Sequence, residues 1–227
     1  MPRHVLFYLY LVCGLIFVLS SLFKLEKILV TVNFLRIPVL LLLYKKKARR
    51  LFIPIVAALL LMYLRDILLY LGYREYTGYI MVAHTLALAL LLFCAVTTLG
   101  KGRLDPLEYF SFIIMLAFLV FVFIFMADMV PDLLSRYQTL MYIYLLLLVL
   151  FLGVSFTAYI LKSHYGTLWL MLSSAALLFS EVSLFFKLFI LEDYSVNLFF
   201  PLFHVFAYYC LMEHGRNRRD RRLFLYR

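Results

Sequence analysis

Eight apolar stretches fill almost the whole of this 227-residue chain, at 5–22, 28–44, 51–71, 77–99, 107–127, 140–161, 167–191 and 196–212. Most are close to the roughly 20 residues that a helix needs to cross a bilayer. The runs are continuous rather than alternating, which excludes the strands of a transmembrane barrel. Hydrophobic residues make up 67% of the chain and the mean hydropathy is +1.01. Soluble domains average about 45–50% apolar residues, so a soluble fold would have nowhere to hide this surface. The expected fold class is all-α: a polytopic integral membrane protein with eight transmembrane helices. It forms a single domain over 1–213, followed by a basic cytoplasmic tail at 214–227.

The formal charge of +10 follows membrane topology. Fifteen Lys and Arg flank alternate ends of the spans: Arg3, Lys45–Lys47, Arg49, Arg50, Lys101, Arg103, Lys162 and six between 216 and 227. Only Lys24, Lys27, Arg74 and Arg136 flank the opposite ends. Positive-inside bias then places both termini in the cytoplasm, in a bacterial inner membrane or its equivalent. Little chain remains to build a basic surface for nucleic acid, so no nucleic-acid partner is expected. The first span follows Arg3 and resembles a signal peptide. It lacks a small-residue cleavage site, so an uncleaved first helix is expected. The tail, rich in Arg and carrying Leu223, Phe224, Leu225 and Tyr226, reads as a topology signal resting on anionic lipid, or else as a partner-binding segment.

Ionisable residues inside the spans carry the functional signal. A charge in hydrocarbon costs about 2.5–3.5 kcal/mol on insertion scales. Arg36, Asp66, His84, Glu181 and His204 all fall inside apolar runs. Counted along their helices, all five lie roughly 8–15 Å below the outer boundary. They are therefore expected to line one polar pocket in the outer half of the bilayer. Each also has a structural reading. Asp66 beside Arg65 fits a snorkelling ion pair. Glu181 between Ser180 and Ser183 fits interhelical packing. Arg36 beside Pro38 fits a counter-charge, and the two histidines fit helix–helix hydrogen bonds. Two His and two carboxylates from four helices, with no i, i+3 or i, i+4 pairing, make a poor metal site. Cys13, Cys94 and Cys210 have no ligand spacing, so neither a metal nor any other cofactor is expected. No serine elbow, zinc-protease motif or glycine-rich phosphate loop is present. The enzymatic option left is a carboxyl pair, one protonated and one ionised.

Several local patterns resemble the lysoplasmalogenase-like (YhhN) family of eight-helix membrane proteins. The seventh span reads S-S-A-A-L-L-F-S-E-V-S-L-F-F-K-L-F over 173–189, similar to the family's small pair, apolar run, Ser-Asp and Lys-Phe. L-R-D-I-L-L-Y-L-G in the third span puts Asp66 on the Asp of a Gly-Asp pair, and G-Y-I-M-V-A-H-T-L-A puts His84 on the family's helix-4 His. The eighth span, ending A-Y-Y-C-L-M, is also family-like. Three departures stand out. Arg65 replaces Gly, Glu181 replaces Asp, and the family's Lys-Pro becomes Arg36-Ile37-Pro38.

The resemblance implies hydrolysis of the vinyl ether of a lysoplasmalogen, with Asp66 and Glu181 as the catalytic acids. Such a reaction protonates carbon and adds water to an oxocarbenium, work suited to a carboxylate acid–base pair. Arg36, His84 and His204 are expected to bind the lysophospholipid substrate. The alternative is a non-catalytic lipid-binding or sensory membrane module. A transporter ranks below both, for want of paired broken spans. The two leading readings predict different geometries. An enzyme needs Asp66 and Glu181 facing each other with room for water. A scaffold ties each to a cation in a dry contact.

Overall fold

The computed structural model describes residues 2–48, 50–100, 105–128, 136–190 and 193–218. The apolar runs become seven helices: α1 (Arg3–Leu22), α2 (Glu26–Lys47), α3 (Ile53–Val96), α4 (Pro106–Asp128), α5 (Gln138–Lys162), α6 (Tyr165–Phe189) and α7 (Tyr194–Asn217). All seven are long and apolar enough to span a membrane. The structure is therefore all-α among the described residues. The basic residues Arg49, Lys101 and Arg103, and those at 219–227, lie outside them.

The third and fourth expected spans form one continuous element, α3, of 44 residues. A straight helix of that length would measure about 66 Å. Yet Arg218 reaches both ends of α3. Its guanidinium lies 4.1 Å from the centre of the Phe52 ring, at the N-cap, and donates to the Thr97 hydroxyl, at the C-cap, at 2.7 Å. The element therefore doubles back. The break is at Gly72, the one residue inside α3 with non-helical dihedrals (φ 164°, ψ 93°). That φ is extended backbone open to any residue, so the reversal does not depend on glycine.

Further contacts put the basic segments at one end of the bundle. Lys47 at the end of α2 pairs with Glu213 near the end of α7 at 3.0 Å. Lys162 at the end of α5 packs on Gly100, just past α3. At the opposite end, Tyr137 packs on Gly78 beside the Gly72 break.

The basic tail was expected to start at 214, but α7 continues to Asn217. The reason is that its polar residues are satisfied by neighbours. His214 is fully buried, with its Nδ1 2.7 Å from the Gly166 carbonyl, while Glu213 holds both Lys47 and Arg216. A cap explains where α6 begins. The His164 ring accepts from the Gly166 N–H, and the Thr167 hydroxyl accepts from the His164 N–H.

Serines bring α6 and α7 together. Ser173 donates to the Ala207 carbonyl and Ser180 to the Phe200 carbonyl, at 3.0 and 3.2 Å. Small hydroxylated residues allow such close approach and supply hydrogen bonds where water is absent. In α2, Pro38 has no N–H for the Phe34 carbonyl, and the Tyr63 hydroxyl of α3 donates to that carbonyl at 3.0 Å. Helix α4 packs chiefly on α5 and is the least buried of the seven.

Candidate functional site

Arg65, placed by the first half of α3, is the centre of the polar cluster. Its Nη1 donates to Asp66 Oδ1 at 2.9 Å and its Nη2 to Glu181 Oε2 at 2.6 Å. One planar guanidinium therefore holds two carboxylates from different helices. Asp66 is crowded on its other oxygen. His204 Nε2 lies 3.0 Å from Oδ2, and Arg36 Nη2 and the Tyr208 hydroxyl each lie at 3.4 Å. Arg36 is fully buried. It donates to Asn33 Oδ1 at 2.8 Å and lies 4.3 Å from the centre of the Phe17 ring. The Ser180 hydroxyl, 3.2 Å from His204 Nδ1, fixes the far side of that ring.

Glu181 is less crowded. The Tyr144 hydroxyl donates to Oε2 at 3.0 Å, and His84 Nδ1 lies 3.7 Å from the same oxygen. The other oxygen, Oε1, has no partner among the described residues. The His84 ring packs on Tyr144, with centroids 5.0 Å apart, and its Nε2 is also without a partner among the described residues. Formal charges in the cluster cancel: two guanidiniums face two carboxylates.

Beside Glu181 lies a partly open cavity of about 80 Å³. Its polar floor is Arg65, His84, Tyr144 and Glu181. Its apolar wall includes Met81, Met126, Met141, Leu184 and Phe185. Leu69, Tyr73 and Leu188 carry it towards the Gly72 end of the bundle. A site for one water needs only about 10–15 Å³ on this measure, so there is room for several waters or a short length of ligand.

Arg36, Asp66, His84, Glu181 and His204 are thus gathered into one network, joined through Arg65. They do not line one cavity. His84 and Glu181 do, whereas Arg36, Asp66 and His204 lie off its wall, tied to one another. Depth along a helix sets the level of a residue, not the direction it faces, and the Arg65 side chain fills the space between the acids. The snorkelling reading of Arg65 and Asp66 also gives way, since both are 2% exposed. The sequence showed Arg65 only as a neighbour of Asp66, and did not single out Tyr144 or Tyr208. An Arg beside an Asp inside a span was the available signal for the first. The two tyrosines were hidden among 18. Among the described residues, no group of three or more His, Cys, Asp and Glu is placed to hold a metal.

No family model, no curated protein and no solved structure matches this chain.

Proposed function

We propose that this chain is a membrane-embedded hydrolase of single-chain ether lysophospholipids, cleaving the vinyl ether of a lysoplasmalogen. It crosses the bilayer eight times, twice through α3, with both termini cytoplasmic. The reading rests on the resemblance of several local sequence patterns to lysoplasmalogenase-like proteins. The observation that carries it is Glu181, which lines an apolar-walled cavity, with one carboxyl oxygen held by Arg65 and Tyr144 and the other without a partner among the described residues.

Glu181 does the proton work here. As an acid it protonates the vinyl carbon remote from the ether oxygen, leaving an oxocarbenium. As a carboxylate it then takes a proton from the water that adds. The hemiacetal collapses to an aldehyde and the glycerol hydroxyl, with His84 placed to carry the proton between oxygens. Asp66, saturated by Arg36, Arg65 and His204, is a positioning residue that keeps Arg65 on Glu181.

A second reading, a non-catalytic lipid-binding module, is favoured by one observation. The guanidinium of Arg65 bridges the two acids, tying each to a cation. Mass spectrometry of purified protein incubated with ether and ester lysophospholipids separates the two. The hydrolase releases aldehyde from the vinyl-ether species. Retention of lipid with no aldehyde at any pH from about 5 to 9, the span over which acid–base groups are tuned, leaves the binding module.

A further inference from the structure

A second charged cluster lies at the end of the bundle away from Gly72. The buried carboxylate of Glu213 holds a cation on each oxygen, Lys47 Nζ at 3.0 Å on Oε1 and Arg216 Nη2 at 2.9 Å on Oε2. One acid therefore brings two cations together and neutralises only one of them. The Lys47 and Arg216 side chains are 18% and 34% exposed, so both stay within reach of a ligand at the surface. The Lys47 ammonium is also held over two rings, 5.1 Å from the centre of Phe7 and 5.5 Å from that of Tyr209.

These cations stand at the head of an apolar stripe. Leu202, Phe206, Tyr209, Glu213 and Arg216 recur at intervals of 4, 3, 4 and 3 residues, which puts them on one face of α7. Helices α1 and α6 both pack on α7 and are not packed closely on each other. The Tyr209 ring lies between them, 5.8 Å from Phe7 of α1 and 5.9 Å from Trp169 of α6. Deeper along the same face, Leu202 and Phe206 are 45% and 43% exposed. The face is thus a furrow, basic at the helix ends, aromatic about 10 Å further in and aliphatic beyond. A phospholipid presents its parts in that order: phosphate, glycerol at the level where Trp and Tyr gather, then acyl chain. The uncompensated positive charge calls for an anionic head group, whose phosphate oxygens accept from both cations. A choline head group would instead bring a third cation beside them.

We propose that the furrow of α7 between α1 and α6 seats one anionic phospholipid, its phosphate bridging Lys47 and Arg216 and an acyl chain lying along Tyr209, Phe206 and Leu202. The lipid is a bound partner of the bundle and not a substrate. Its site shares no residue with the Glu181 cavity and does not depend on the hydrolase reading.

The test is native mass spectrometry of the delipidated full-length protein, titrated with phosphatidylglycerol and phosphatidylcholine of matched chains. One phosphatidylglycerol is expected to bind at least about 5-fold more tightly than phosphatidylcholine, the effect of one basic side chain at a lipid surface. Arg216→Gln removes one of the two cations and should cut phosphatidylglycerol binding by about the same factor. Lys45→Gln removes an equal charge from an exposed position on another face of α2, and should leave the preference intact. Equal binding of the two lipids to the unmodified protein overturns the proposal, and that comparison stands whether or not a variant folds. An equal loss in Lys45→Gln and Arg216→Gln also overturns it, since diffuse surface charge would then account for the preference. Displacement of the lipid by excess inorganic phosphate overturns the lipid assignment and makes the cation pair a site for a soluble anion.

Discussion

The fate of single residues in this protein is set by Arg65. Its side chain bridges Asp66 and Glu181, both buried, while Arg36 supplies the second positive charge. Removing one partner of a buried ion pair typically costs about 3–5 kcal/mol, because a bare charge is left behind. Arg65→Leu is therefore expected to lower thermal stability in detergent sharply, by an amount of that order. Adding Glu181→Gln to it should recover part of the loss, because one stranded charge is removed. An additive or worse double variant would mean that the pair is not coupled. Glu181→Gln alone tests chemistry. It keeps shape and hydrogen bonding but cannot exchange the proton. Aldehyde release should fall at least about 100-fold, the lower end of general acid–base contributions. Asp66→Asn acts differently, since it unbalances Arg36 and Arg65 and should disturb stability together with turnover.

Elements meet where small residues allow it, and the glycines are not equivalent. A methyl group on Gly215 would run into the hydroxyl of Tyr44, whose ring is fully buried and whose oxygen accepts from the Phe52 N–H. That contact ties α2, α3 and α7 together. Overpacking of this kind costs about 1–3 kcal/mol. Gly215→Ala is expected to destabilise by that amount in a detergent melt. Gly72 is the contrast. Its φ is open to any residue, and a methyl there would meet nothing closer than 3.6 Å. Gly72→Ala should leave the melting temperature and the reversal of α3 unchanged. A large loss would show that the turn needs glycine for a reason other than φ or space.

At the scale of the whole molecule, the question is which way the bundle sits. Arg218, Phe52 and Thr97 meet at one end, and Gly72 lies at the other. The described basic residues Lys47, Lys162 and Arg218 gather at the first end, and positive-inside bias predicts that this end is cytoplasmic. Reporter tags beside the Gly72 break, at 73–76, and after residue 227 should therefore report opposite sides of the membrane. The same side for both would exclude a complete crossing by the first half of α3 paired with the return of α7. Cysteine labelling at Arg216, exposed near the end of α7, gives an independent check on the tail-side result.

The sequence alone determined a set of helices long and apolar enough to cross a membrane, because hydrophobicity and rise per residue are read along one dimension. It also marked the basic ends, since those charges must lie outside hydrocarbon. Tertiary structure decided everything that depends on direction around a helix. It folded two expected spans into one element that reverses at Gly72. It carried α7 four residues beyond the expected tail boundary at 213, because Gly166 and Lys47 were there to satisfy His214 and Glu213. It turned Arg65 inward between two acids, and left Glu181 rather than Asp66 with an unpaired oxygen at a cavity. A buried charge must find its partner across space. Which side chain lies opposite it is a property of packing between helices, which spacing along the chain does not contain.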